Sequence, residues 1–201
     1  KYQTAGVFAN GLANVALNKK HGFIDRTEKV VIPLIYDDSR GFSEGMAKVN
    51  LGAKGVEGMG LGGGTWGCID PTGKVVIPIK YRVVEHPSEG MIGVRENAKC
   101  GFIDLTGKEV IPQIYEEVKS FMGGFAGVRR NLNPDERGPQ DKEPTVSKWT
   151  FIDKTGKEIV KPIYMACGYF SEGLLPAAVN GEGYREEKWG FLDATGKVVI
   201  P

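Results

Sequence analysis

The sequence predicts an all-β repeat protein, and three observations carry that expectation. The segment from His21 to Pro33 returns four times, as Trp66 to Pro78, Cys100 to Pro112, Trp149 to Lys161 and Trp189 to Pro201. Glycine supplies 29 of 201 residues, about 14% and roughly twice ordinary usage, and a glycine inside a helix costs about 1 kcal/mol. Between the glycines and prolines lie short alternating runs of β-branched and aromatic residues, the composition of strands. A compact body of this length buries roughly 70% of its unfolded surface, enough for a sizeable core.

Each element of the repeat has a physical reason. The consensus is W-G-F-I-D-x-T-G-K-x-V-I-P. Trp66-Gly67-Cys68-Ile69-Asp70 reads as a first strand and Lys74-Val75-Val76-Ile77 as a second. Asp70-Pro71-Thr72-Gly73 joins them as a type I turn, with Asp first, Pro second and Gly in the left-handed position. All five units keep the aspartate: Asp25, Asp70, Asp104, Asp153 and Asp193. Glu28 replaces the glycine in the first unit, which predicts about 1 kcal/mol of strain there. Pro78 ends the second strand because it has no N–H to donate. Tyr36, Tyr81, Tyr115 or Tyr164 follows three residues after the motif. Then comes Phe42-Ser43-Glu44-Gly45-Met46-Ala47-Lys48-Val49 or a counterpart, read as a turn leading into a third strand. Each unit is therefore a meander of about three strands.

The spacing from Ile24 to Ile69, Ile103, Ile152 and Leu192 is 45, 34, 49 and 40 residues, so the unit is about 34 residues long with insertions at one place. Whole repeats begin at 21, 66, 100 and 149. Residues 2–17 match the second half of a unit, and residues 189–201 match a first half. The expected architecture is a single domain, 1–201, forming a propeller-like closed ring sealed by these two half-repeats, which would remove exposed sheet edges. An open β-solenoid is the alternative.

Charge is balanced, 26 basic residues against 25 acidic, so nothing steers the chain toward nucleic acid. No apolar run approaches the ~18 residues of a membrane span, so no membrane insertion is expected. No signal peptide is visible. The chain starts at Lys1, however, and the compartment is left open, export included.

The motifs W-G-F-I-D-x-T-G-K-x-V-I-P and F-S-E-G-x-A-x-V resemble those of the WG-repeat (KWG) family, found mostly in bacterial proteins of unassigned role. The resemblance covers nearly the whole chain outside the insertions. It implies a β-repeat domain for binding or scaffolding, with no common catalytic residues. His21 and Cys100 stand at the Trp position and Thr150 at the following Gly, which favours a packing role for that Trp over an obligatory ligand contact.

Candidate chemistry is sparse. Five aspartates could hold calcium, but a turn role by side-chain-to-backbone hydrogen bonding explains each. Glu44, Glu89 and Glu172 recur, and recurrence points to the frame, because catalysis needs one asymmetric site. Cys68, Cys100 and Cys167 form no C-x-x-C and are expected as buried thiols; metal and cofactor are expected to be absent. Gly58 to Gly63 formally matches G-x-G-x-x-G, but no helix is expected to follow it.

The insertions are the clearest functional signal. Asn50 to Thr65 holds seven glycines, Arg129 to Lys148 three prolines and three arginines, and Asn180 to Lys188 the run Tyr184-Arg185-Glu186-Glu187. Loops on a rigid frame often carry binding, and Arg129, Arg130, Arg137, Tyr184 and Arg185 are the anchor types expected to do it. The expected function is a noncatalytic, monomeric module that recognises a protein or a glycan through these loops. A structural spacer or assembly element is the alternative, and an enzyme is the least expected.

Overall fold

The computed structural model describes residues 1–56, 60–139, 141, 146–180 and 187–201. The strands form five antiparallel sheets, each built from consecutive segments of chain. The first contains β1 (Thr4–Ala5), β2 (Ala13–Leu17), β3 (Lys20–Ile24) and β4 (Val30–Tyr36). The second contains β5 (Asp38–Ser43), β6 (Met46–Val56), β7 (Gly60–Ile69) and β8 (Val75–Tyr81). The third contains β9 (Val83–Val84), β10 (Met91–Arg95), β11 (Cys100–Asp104) and β12 (Glu109–Tyr115). The fourth contains β13 (Glu117–Val118), β14 (Phe125–Asn131) and β15 (Ser147–Asp153), and the fifth β16 (Ala166–Cys167), β17 (Leu174–Asn180), β18 (Glu187–Asp193) and β19 (Val198–Ile200). Among the described residues there is no α-helix, only a 3-10 turn at Pro134–Glu136. None of them forms a helix long and apolar enough to cross a membrane.

The chain divides into two compact bodies, Lys1–Asn97 with Ile103–Glu109, and Ala98–Phe102 with Val110–Pro201. In the first, Leu12, Phe23, Ile32, Tyr36, Phe42, Val49 and Ile69 make one buried cluster, and Met46, Cys68, Ile77, Tyr81, Val84, Ile92, Val94 and Ile103 make another. In the second, Trp149, Phe151, Tyr164, Cys167, Leu175 and Leu192 cluster in the same way. Each buried Ile or Phe contributes about 1.5–3 kcal/mol.

The sequence unit and the sheet are out of phase. A sheet takes the second half of one unit and the first half of the next, and the short strands β9, β13 and β16, absent from the sequence reading, are its first strands. A sequence unit therefore bridges two neighbouring sheets. Phe23 packs on Phe42 with ring centroids 5.0 Å apart, and Phe102 on Phe121 at 4.8 Å. The turn glycine of each later sheet lies against an aliphatic side chain of the preceding repeat: Gly73 against Ile32, Gly107 against Ile77, Gly156 against Ile111 and Gly196 against Val160.

With this phase the two terminal half-units stand in different sheets, as do the two halves of every whole unit. β1 and β2 continue into β3 and β4, while β18 and β19 complete the sheet begun by β16 and β17. Connectivity explains it: Asn18 and Lys19, both at positive φ, close a two-residue hairpin from β2 to β3. A local partner therefore takes the strand. Ile32, Ile77 and Ile111 are buried, but their equivalent Ile200 in β19 is 47% exposed.

Two local details explain the motif. The turn into the third strand of each unit has positive φ at both central residues, Asn10-Gly11, Glu44-Gly45, Glu89-Gly90, Gly123-Gly124 and Glu172-Gly173, the hairpin geometry whose twist matches the strands. The glycine after the Trp position is required by close approach. A Cβ on Gly22, Gly67 or Gly101 would stand 2.5–2.6 Å from the carbonyl oxygen of Ile32, Ile77 or Ile111. Where Thr150 replaces it, the hydroxyl donates to Val160 O at 2.6 Å. The following segment then pairs with β15 through the isolated bridges Trp149–Tyr164 and Ile152–Glu158 and not as a continuous strand, so the fourth sheet keeps three strands.

Candidate functional site

The repeated polar residues are committed to the frame. Asp25, Asp70, Asp104, Asp153 and Asp193 each accept the backbone N–H and hydroxyl of the Thr two residues on, and the N–H of the Lys four on. The Thr hydroxyl is the main reason these carboxyls lie below their ordinary range. Glu44 accepts the N–H of Glu89 at 2.6 Å and of Gly90 at 3.0 Å, strapping one hairpin turn to the next. Cys68, Cys100 and Cys167 are buried free thiols, and desolvation pushes Cys68 and Cys167 up to about 12.

The first insertion is not a loop. It extends β6 and β7 into a long hairpin, paired from Leu51–Thr65 out to Val56–Gly60. Of the G-x-G-x-x-G match, Gly58 and Met59 lie outside the described residues, and the rest is strand. Asp37 anchors the hairpin's base. It accepts Lys20 Nζ at 2.6 Å, Gly52 N at 2.7 Å and Ala53 N at 3.1 Å, with Lys20 the first cause of its lowered pKa.

At this base a cross-strand row runs Asp38–Asn50–Trp66–Tyr81 through β5, β6, β7 and β8. A cleft of about 670 Å³ opens beside it, lined by Asp38, Asn50, Gly63, Gly64, Trp66 and Arg82 among others. Asn50 is 1% exposed; its Nδ2 donates to Gly63 O at 3.4 Å, and its Oδ1 is buried without a hydrogen-bond partner. A Cβ on Gly64 would lie 2.4 Å from that Oδ1. Asp38 accepts Arg40 Nη1 at 2.7 Å, and Arg40 and Lys48 each stand 5.8 Å from the Trp66 ring centroid. Burial, then Lys48 and Arg40, hold His86 below its ordinary range; burial lowers Lys48 as well. Arg82 is exposed, and none of the described residues pairs with its guanidinium.

The equivalent row of the fourth sheet is Glu117–Arg129–Trp149. There Arg129 reaches Glu117 at 3.2 Å and lies 6.0 Å from the Trp149 centroid, and Trp149 is buried. The shorter Asn50 leaves open the volume that Arg129 occupies in its own sheet.

His21, Ser39 and Asp38 also meet, but not as a catalytic relay. Ser39 Oγ and Asp38 both face His21 Nδ1, at 3.4 and 4.0 Å, and Ser39 is buried. A Ser-His-Asp relay needs the two on opposite ring nitrogens.

Two of the anchors expected from the second insertion, Arg129 and Arg130, are bound within the chain. Arg130 donates to both oxygens of Glu136, at 2.7 and 2.8 Å, and to Glu158, which raises its pKa and lowers Glu136 to about 2. Arg129 pairs with Glu117, and Arg137 buries an Nε without a partner. Lys148 and Asp141 form an ion pair at 3.4 Å with both side chains buried. Tyr184 and Arg185 lie outside the described residues.

A family model for the WG-containing repeat matches residues 22–54, 66–100, 101–131, 149–182 and 189–201. The chain belongs to the WG-containing repeat family. Its fold is similar to a crystal structure of a eukaryotic initiation factor, with a TM-score of 0.59 at 10% identity over 98% of this chain. The chain spans 54% of that structure's length. A Bacteroides caccae protein of unknown function aligns over 100% of this chain and 80% of its own, at 12% identity and a TM-score of 0.37. No curated protein matches. The frame residues recur from unit to unit along this chain, so the residues that differ between units are the informative ones. At the position facing the Trp site stand Ala16, Asn50, Arg95, Arg129 and Ala178. Asp38, Asn50 and Arg82 escaped the sequence reading because none is exceptional alone, and the Trp position that Trp66 occupies was read as a packing position.

Proposed function

We propose that the chain is a noncatalytic binding module whose ligand is taken up at the base of the first inserted hairpin. The observation that supports this most is the asymmetry of that cleft. The repeated carboxylates and hydroxyls are held in turns, whereas Asn50 Oδ1 and the Arg82 guanidinium have no partner among the described residues, beside a half-buried indole. Binding sites on rigid frames have this character, with a few convergent polar groups at one concave place. The test replaces residues 52–64 by a two-residue Asn-Gly turn and compares retention of envelope and cytosolic fractions on immobilised protein. Loss of retention with an unchanged β circular dichroism spectrum supports the reading; equal retention overturns it.

A second reading, repeat-to-repeat assembly, is favoured by Val198, Val199 and Ile200, all exposed in β19. We propose that these residues are covered when the five sheets close as blades of a ring. Small-angle scattering that fits a closed disc supports closure, and an open arc overturns it.

A further inference from the structure

We propose that the cleft at Asp38, Asn50, Trp66 and Arg82 binds a saccharide that carries a carboxylate. The inference rests on the binding-module reading and names its ligand class.

The argument begins with the two comparable rows. In the fourth sheet the protein's own Arg129 stacks against Trp149 and pairs with Glu117. In the second sheet the corresponding acid and indole, Asp38 and Trp66, flank Asn50 instead, and the cleft lies there. An occupant must therefore offer a flat face to an indole and hydrogen-bond donors to Asp38 and the unpaired Asn50 Oδ1. A sugar ring does both, because its axial C–H face packs on an aromatic ring while equatorial hydroxyls donate and accept in its plane. A cationic side chain from a partner meets the same acceptors. It would, however, be repelled by Arg40, Lys48 and Arg82, which bring three positive charges to the site.

The charge balance then selects among sugars. Arg40 is engaged by Asp38, and Lys48 Nζ donates to Val84 O at 2.9 Å. Arg82 remains. In the first and third sheets the same two positions hold a closed pair, Lys20 with Asp37 and Lys99 with Glu116. In the second sheet they hold Thr65 and Arg82, and the Thr65 hydroxyl donates to Ile79 O at 3.1 Å. An exposed guanidinium with no acid partner among the described residues is suited to a carboxylate, which it binds with two parallel hydrogen bonds.

The test is titration calorimetry of the whole chain with tri-galacturonate, and with the neutral galactose trisaccharide as its counterpart. Tri-galacturonate is expected to bind, with the neutral sugar about tenfold weaker. Arg82→Met removes that preference, bringing the affinity for tri-galacturonate down to the level of the neutral sugar. Asn50→Arg, which fills the cleft as Arg129 does in its own sheet, abolishes binding of both; an unchanged thermal midpoint shows that it folds. Equal affinity for the two sugars overturns the carboxylate assignment. Binding unaffected by Asn50→Arg overturns the site. Absence of saccharide binding in a chain that still retains a protein through the 52–64 hairpin overturns the ligand class and leaves the binding-module reading standing.

Discussion

Adding one methyl group at Gly22 tests the packing logic of the repeat. The Cβ would fall 2.6 Å from Ile32 O, 2.7 Å from Pro33 O and 2.8 Å from Leu34 N, all backbone atoms of β4. Real Cβ atoms do not approach that closely, so β4 must move away from β3. Overpacking of this kind costs about 1–3 kcal/mol, and each ladder hydrogen bond lost between the strands adds about 0.5–1.5 kcal/mol. The alanine also stiffens the unfolded chain, which returns about 0.4–1 kcal/mol. The net expectation for Gly22→Ala is a loss of about 2–3 kcal/mol. Gly41→Ala is the matched control, because a Cβ there meets nothing within 4 Å and no positive φ is required; its change stays within about 0.5 kcal/mol or is favourable. Urea unfolding followed by far-ultraviolet circular dichroism measures both. Equal stabilities for the two variants would refute the close-approach argument.

Four further outcomes follow from the same geometry. Glu28 holds φ at 66° in a turn where its equivalents are glycine, so Glu28→Gly is expected to stabilise the chain by about 1 kcal/mol in urea unfolding, despite losing the exposed Lys1 pair. The five turn aspartates have folded pKa values depressed below 3.8, so their contribution is fully present above that value. It is lost as pH falls through the lower folded values, and the thermal midpoint should drop steeply below pH 4, less so in Thr106→Val, which removes one of the hydroxyl donors. Cys68 and Cys167, buried and pushed up to about 12, should resist Ellman's reagent at pH 8 until urea unfolds the chain. Thr150→Ala leaves Val160 O without its donor in a buried site and should cost about 1–3 kcal/mol by the same unfolding assay.

Much of the frame was legible because the repeat states each constraint five times. Asp-x-Thr-Gly-Lys reads as its turn because the Asp side chain can only serve the N–H groups that follow it. Glu28 at positive φ was legible from the missing glycine alone. The phase of the sheets was not legible, because short strands such as Val83–Val84 carry no periodicity of their own and nothing local says which side of the Trp strand pairs first. The glycine-rich first insertion looked like a loop, since composition cannot reveal that cross-strand pairing continues to Val56. The candidate site was the least legible part. Asn50 is separated from Asp38 and Arg82 by an intervening strand or turn, and its meaning emerges only beside Arg129 in another sheet. The arginines of the second insertion looked like anchors because sequence does not show that Glu136 and Glu158 already hold Arg130.

The most direct test of the account is the indole N–H region of a ¹⁵N–¹H spectrum during titration with tri-galacturonate. The chain has three tryptophans, Trp66, Trp149 and Trp189, assignable by single substitution to Phe. The account predicts that the Trp66 resonance shifts with saturation while those of Trp149 and Trp189 stay in place. Shifts at Trp149 or Trp189 with Trp66 unmoved would contradict it.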